Sequence, residues 1–79
     1  PFNPGVEISF EMAEPENLVV TVFSAKGERV AELFHGYSSG GFVQWDGCDG
    51  KGQPVASGTY IVEGRSGSSA VRQKVMLVR

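Results

Sequence analysis

The sequence predicts an all-β fold, a small antiparallel β-sandwich of six to seven strands. Apolar stretches recur at short intervals between glycine-rich turns, and no segment shows a convincing helical period. The chain has 79 residues, of which 41% are hydrophobic. We therefore expect one domain, residues 1–79, around a single small core.

The first half of the chain contains three predicted strands. Residues 6–12, VEISFEM, alternate apolar and polar side chains, as a strand with one buried face does. The sequence EPEN is expected to end this strand, because proline and asparagine favour turns. Residues 18–23 are apolar and β-branched, which favours a central strand. Gly27 then supplies a hairpin turn into a third strand around residues 30–34.

The second half contains three more predicted strands. Residues 42–45, FVQW, form a short strand that carries the sole tryptophan. Residues 58–64, GTYIVEG, and residues 70–78, AVRQKVMLV, follow, with RSGSS between them.

Composition argues against several classes of partner. The net charge is −2 and the seven Lys and Arg residues are scattered, so no basic stripe is available for nucleic acid. No apolar run approaches the ~20 residues of a membrane span, so no membrane insertion is expected. Cys48 is the only cysteine, which leaves no intramolecular disulfide and no thiolate cluster for zinc.

The stretch WDGCDGKGQPVASGTY, residues 45–60, has two interpretations. Asp46 and Asp49 are suited to accept hydrogen bonds from backbone amides two residues on, which predicts a tight structural turn. The same two aspartates are candidate calcium ligands, since this cation binds several oxygens from one loop. The bidentate glutamate that closes an EF-hand loop is missing, so the structural turn is favoured and no metal is assigned.

No constellation of residues indicates catalysis. Cys48 would need a neighbouring base to act as a nucleophile, and nothing in the sequence places His35, the only histidine, beside it. His35 is expected at a strand end, facing solvent. We expect no enzyme activity, no catalytic residues and no cofactor.

The aromatic residues also have two interpretations. The Trp45 ring is expected to fill much of the space between the sheets. Tyr37, Phe42 and Tyr60 suggest either a platform for sugars or packing side chains, and packing is favoured because the strand period directs aromatics inward. A carbohydrate-binding module resting on Trp45, Tyr37 and Tyr60 is the third functional hypothesis, and it requires an exposed aromatic.

Nearly the whole chain resembles the immunoglobulin-like module shared by flagellar hook-capping proteins and the C-terminal sorting domains of type IX secretion cargo. The residues that carry the resemblance lie in four motifs and a closing strand that ends on a basic residue. They are Phe2, Asn3 and Pro4; Gly27; Trp45, Asp46, Gly47, Asp49 and Gly52; Gly58 and Tyr60; and the stretch from Lys74 to Arg79.

The resemblance implies a non-catalytic immunoglobulin-like (fibronectin III-like) sandwich on extracellular or cell-surface proteins of Gram-negative bacteria. In secretion cargo the module is an address that is read by outer-membrane machinery, and in hook-capping relatives it is a scaffold piece. Two features depart from the pattern: Gly5 and Val6 replace the Thr-rich stretch usual after FNP, and Cys48 stands where Arg is more common.

Our leading functional hypothesis is therefore a recognition and sorting module at the C-terminal end of a larger secreted bacterial protein. Lys74 and Arg79 are the candidate recognition or assembly residues, and Arg65 and Arg72 cluster with them in the sequence. This cluster is either a solvated face or a surface that a secretion receptor or acidic partner reads. The alternative is a subunit of an extracellular filament, a homo-oligomer or polymer in which residues 1–5 form an extended arm that docks on a neighbour.

Overall fold

The computed structural model describes residues 5–67 and 69–78, and these residues confirm the all-β prediction. They form four strands: β1 (Val6–Ser24), β2 (Arg29–Trp45), β3 (Gly58–Ser66) and β4 (Ser69–Leu77). The strands make one open sheet in the order β2-β1-β3-β4, with every neighbouring pair antiparallel. The predicted count of six to seven strands was wrong. The first two predicted strands are parts of β1, and the next two are parts of β2.

The sequence EPEN bends β1 without ending it. Glu11 pairs with Gly40 and Glu16 pairs with Ser38, so four β1 residues lie opposite the single residue Ser39. The extra residues form a bulge, and a proline is tolerated there because its missing N–H is not needed for the ladder. The pairing of β1 with β2 resumes beyond the bulge, which is why one strand results.

On the β2 side of the bend, the close approach of the backbones requires glycine. Gly40 has φ +111, and a Cβ built on it would lie 2.9 Å from the carbonyl oxygen of Phe10. Any larger residue would therefore clash with the paired strand. Two unequal strand segments joined in this way produce a sharp local bend in the β1–β2 hairpin.

This bend folds the hairpin back over the sheet. A straight strand of 17 residues would span ~55 Å, whereas the longest extent of the molecule is 37 Å. Trp45, at the far end of β2, packs edge-on against Tyr60 with the ring centroids 5.0 Å apart. Tyr60 pairs with Ser24, next to the turn where β2 begins. The distal half of the hairpin, residues 6–12 and 40–45, thus covers one face of the sheet.

The core lies between the folded-back half and the remaining sheet. Side chains from both layers contribute to the core, and Phe10 of the folded-back half packs directly on Gly64 of β3. The buried members are Ile8, Leu18, Val20, Val22, Trp45, Tyr60, Val62, Val75 and Leu77. The layering is that of a sandwich, but one continuous hydrogen-bonded sheet supplies both layers.

The turn between β1 and β2 contains Gly27, as the sequence predicts. Gly27 has φ +91 and donates its N–H to the carbonyl of Ser24 at 2.9 Å. The Ser24 hydroxyl accepts the amides of Lys26 and Glu28, which fixes the turn. No helix long and apolar enough to span a membrane occurs among the described residues.

Candidate recognition surface

The loop between β2 and β3 is held by its two aspartates. Asp46 Oδ1 accepts the amide of Cys48 at 3.0 Å, and Asp49 Oδ1 accepts the amides of Lys51 at 2.9 Å and Gln53 at 3.0 Å. These are the hydrogen bonds expected from the spacing of the two aspartates. The N–H of Gly50 also reaches the carbonyl of Val30 at 3.1 Å, which ties the loop to β2.

The hydrogen bonds of Asp49 stabilise its charged form. The amides of Gln53 and Lys51 hold the pKa of this carboxyl below its ordinary value of 3.8. One oxygen of each aspartate is directed at backbone amides, and nothing in this geometry favours the calcium interpretation of Asp46 and Asp49. In residues 5–67 and 69–78, no group of three or more His, Cys, Asp or Glu side chains is placed to hold a metal ion.

Two buried aromatic residues, Trp45 and Tyr60, pack beneath the β2–β3 loop and hydrogen-bond to it. Trp45 is 1% exposed and donates its Nε1–H to the carbonyl of Cys48 at 2.8 Å. The Tyr60 hydroxyl donates to the carbonyl of Ala56 at 2.6 Å, and its ring is buried. Trp45 therefore fills the space between the layers as expected, and neither ring presents a face to a sugar.

Tyr37 and Phe42 do not pack inward. They are 72% and 71% exposed, so the expectation that the strand period buries them was wrong. Period-two alternation assigns residues to two faces, but it does not say which faces another layer covers. Here the bend leaves both rings outside the core.

Cys48 and His35 occupy different settings. Cys48 is half-buried in the loop, with its Sγ 4.0 Å from the carbonyl oxygen of Asp46. His35 is exposed, as expected, and its Nδ1 lies 3.9 Å from Glu32. It sits within β2, opposite Val19, and not at a strand end.

The side of the sheet opposite the core forms a second, outward surface, which we call the basic face. Directly paired residues of antiparallel strands point to the same side, so the register defines its side chains. It consists of three rows: His35, Val19, Arg65 and Ala70; Glu32, Thr21, Glu63 and Arg72; and Arg29, Phe23, Ile61 and Lys74. Four Lys or Arg side chains and two carboxylates give this face a positive balance, whereas the chain as a whole has a net charge of −2.

Glu63 organises the β3–β4 side of the basic face. Its side chain is only 11% exposed, and one carboxylate oxygen lies 3.0 Å from Arg72 and 3.5 Å from Arg65. Because this carboxylate is largely shielded from water, it holds the two guanidinium groups more firmly than an exposed partner would. Lys74 lies one row away, and no carboxylate lies within ion-pair distance of it in the described part of the chain.

An open groove runs beside these charges. It has a volume of about 310 Å³, and Phe23, Ile61, Glu63 and Arg72 are among the residues that line it. Phe23 and Ile61 are paired across β1 and β3 and are only half-buried. Apolar side chains next to positively charged arginines can bind an apolar side chain of a partner that has acidic groups on either side of it.

The structure brings some of the sequence-predicted site residues together and separates others. Gly47, Asp49 and Gly52 lie in the loop beside Trp45, and Gly58 begins β3. Lys74 lies on the basic face with Arg65 and Arg72. The predictions for Phe2, Asn3, Pro4 and Arg79, and for most of the arm at residues 1–5, concern residues outside those that the structure describes.

The sequence did not predict that Glu63, Phe23 and Ile61 lie on the outward side of the sheet. Phe23 and Ile61 belong to apolar runs, which predict buried residues. A single glutamate in a strand does not by itself indicate a binding surface. Only the register, in which Glu63 faces Thr21 on one side and Arg72 on the other, reveals the shared surface.

An all-β chain with two layers over a single core and an internal tryptophan has the architecture of a small β-sandwich domain. The model of the FlgD Ig-like domain family matches residues 2–68, and the chain belongs to this family. Domains of this family are found in flagellar hook-capping and secreted bacterial proteins, and they are typically non-catalytic. Comparison with curated proteins and with solved structures gives no match.

Proposed function

We propose that this domain is an extracellular recognition module that directs a larger secreted bacterial protein to the cell surface, and that a protein of the secretion machinery reads its basic face. The observation that carries the proposal is the ordered charge cluster of that face. Glu63 fixes Arg65 and Arg72 beside an apolar groove, and Lys74 stands next to them without an ion-pair partner among the described residues. The family match supports the same role, because the family occurs in secreted bacterial proteins.

The chemistry of this surface suits binding rather than catalysis. The two arginines present planar groups that match carboxylates, and their shared partner reduces the entropy lost when a ligand binds. Surface cations of this kind raise the rate of encounter with an acidic partner and set its orientation. We infer that the receptor presents an acidic surface with at least one apolar side chain for the groove.

An export assay tests the sorting role. Residues 1–79 are fused to the C-terminus of a fluorescent reporter in a bacterium that has a type IX secretion system, and the fraction of reporter that external protease removes from intact cells is measured. The fusion is expected at the surface, and the reporter without the domain is expected to stay inside. Equal surface fractions with and without the domain would overturn the sorting role.

Substitution of Lys74 tests the surface. Lys74→Glu is expected to lower the surface fraction by about fivefold or more, because it reverses charge where the acidic partner would dock. Lys51→Glu is the matched control, since it makes the same charge change on an exposed residue of the β2–β3 loop. Equal export of the two variants would rule out the basic face as the surface that is read.

A second candidate function is a subunit of an extracellular filament. It is favoured by the two open sheet edges, β2 and β4, which present backbone groups that an incoming strand could pair with. In that case a chain lacking residues 1–5 is expected to remain folded and to lose assembly. Normal fibres from the shortened chain would exclude exchange of the arm.

A further inference from the structure

Besides the basic face, the molecule has another solvent-exposed surface, on the opposite side of the fold. In the folded-back half of the hairpin, Ile8 and Phe10 point into the core, so Glu7 and Glu11 point to solvent. β2 contributes the exposed ring of Phe42 to the same side. We call this surface the acidic face, and it comprises Glu7, Ser9, Glu11, Phe42 and Gln44.

The acidic face has a simple pattern of charge around an aromatic residue. Phe42 pairs with Ser9, so it lies between Glu7 and Glu11 along the neighbouring strand. Residues 6–12 and 40–45, which supply this layer, contain no Lys, Arg or His. An exposed phenylalanine flanked by two carboxylates is therefore the main feature of this side.

The two faces are complementary in both charge and apolar character. One carries Arg72 and Lys74 beside an apolar groove, and the other carries two glutamates beside a protruding ring. Apolar area buried at the centre of a contact and opposite charges around it are the usual anatomy of a protein interface. The acidic face therefore offers the carboxylates and the apolar side chain that would bind the arginine, the lysine and the groove of the basic face.

We propose that a second copy of this chain docks its acidic face on the basic face, with Phe42 entering the groove beside Phe23 and Ile61. Glu7 and Glu11 of one copy then face Arg72 and Lys74 of the other. Because the two faces lie on opposite sides of the fold, the contact is head-to-tail, and every added copy leaves one face of each kind free. Such docking requires neither the sorting role nor exchange of the arm.

The size of the faces sets the strength of the contact. Four strands at ~4.8 Å spacing make the basic face ~15–20 Å wide. Only β1 and β2 supply the acidic face, which is narrower, so the contact is at the small end for protein interfaces. We therefore expect dissociation constants between about 10 μM and about 500 μM. Exposed charges carry much of the complementarity, so association is expected to fall by about tenfold or more between ~50 mM and ~500 mM NaCl.

Sedimentation equilibrium of the 79-residue chain tests the proposal, with complementary variants as the main experiment. Lys74→Glu disables the basic face and Phe42→Ser disables the acidic face, and each variant alone is expected to associate about tenfold more weakly. Their equimolar mixture retains one intact face of each kind, so it is expected to form 1:1 dimers that do not grow with concentration. Lys51→Glu and Tyr37→Ser are the controls, and both are expected to associate as the unaltered chain does. They change an exposed cation of the β2–β3 loop and an aromatic residue that is as exposed as Phe42 and lies beyond the first row of the basic face.

Several results would overturn head-to-tail docking. They are a monomeric wild-type chain up to ~1 mM in low salt, undiminished association of either single variant, a mixture that remains monomeric, or controls that are as impaired as the face variants. Emission from the buried Trp45 verifies that each variant is folded before its mass is interpreted. The outcome is separate from the proposed function, because export can depend on Lys74 in cells even when the purified chain is monomeric. A chain lacking residues 1–5 is expected to show normal head-to-tail docking. This result distinguishes head-to-tail docking from arm exchange, which requires those residues.

Discussion

Gly64 is a point of close contact between the two layers of the fold, and substitution there tests the fold-back directly. A Cβ built on Gly64 would lie 3.0 Å from Phe10 Cδ1 and 3.2 Å from Cζ, with Cε1 closer still. The Phe10 ring would have to move, and crowding of a packed core costs about 1–3 kcal/mol. For a domain of this size, the melting temperature of Gly64→Ala is expected to fall by about 4–20 °C.

A double-mutant cycle with Phe10→Leu isolates the contact between the layers. Urea unfolding followed by Trp45 fluorescence gives the free energy of unfolding of the wild type, both single variants and the double variant. In the Leu background the cost of Gly64→Ala is expected to shrink below about 0.5 kcal/mol, because the shorter side chain leaves room for the methyl group. Gly36→Ala is the control, since a Cβ there would make only an ordinary contact with Phe34 Cζ at 3.5 Å. Equal costs of Gly64→Ala in the two backgrounds would refute the stacking of Phe10 on Gly64.

Two further predictions concern the β2–β3 loop. The amides of Gln53 and Lys51 depress the folded-state pKa of Asp49, so its contribution to stability is present above its unfolded value near 3.8 and is lost as the pH falls through the lower folded value. Asp49→Asn should therefore reduce the urea midpoint at about pH 7 more than at about pH 3, and a pH-independent difference would contradict this origin. Tyr60→Phe removes the hydroxyl that donates to Ala56 at 2.6 Å and leaves that carbonyl short of a partner. It should lower the free energy of unfolding by about 1–2 kcal/mol in urea unfolding monitored by Trp45 fluorescence, and a change below ~0.3 kcal/mol would mean that water replaces the bond.

Local sequence signals predicted the features that depend on local physics. The alternation in residues 6–12 identified Ile8 as core, and Gly27 marked the hairpin turn. The spacing of Asp46 and Asp49 predicted the amide hydrogen bonds of the loop. Each of these features is decided by side chains within a few residues of one another.

The number of strands and the surfaces could not be predicted in the same way. Pro15 predicts the end of a strand. It lies in a bulge, however, where the missing N–H breaks no hydrogen bond of the ladder, so the strand continues. The basic face depends on which residue of β4 lies opposite Glu63, and that register is set by packing across the whole sheet. Phe42 reads as a packing residue because nothing nearby in the sequence reveals that its side of the hairpin stays uncovered.

The folded-back hairpin also has a consequence for the order in which the chain folds. Next to each turn, the paired residues of β1 and β2 and of β3 and β4 are close in sequence, but the far end of the first hairpin pairs Val6 with Trp45, 39 residues apart. Packing Trp45 against Tyr60 requires both hairpins to be present and the first one to be bent. Contacts at large sequence separation cost more chain entropy, so we expect the ladder next to Gly27 to form before the distal pairing of Val6 with Trp45. Trp45 lies in that distal part and packs on Tyr60, so we expect its fluorescence to report the closure of the bent hairpin over the sheet, after the strands next to the turns have paired.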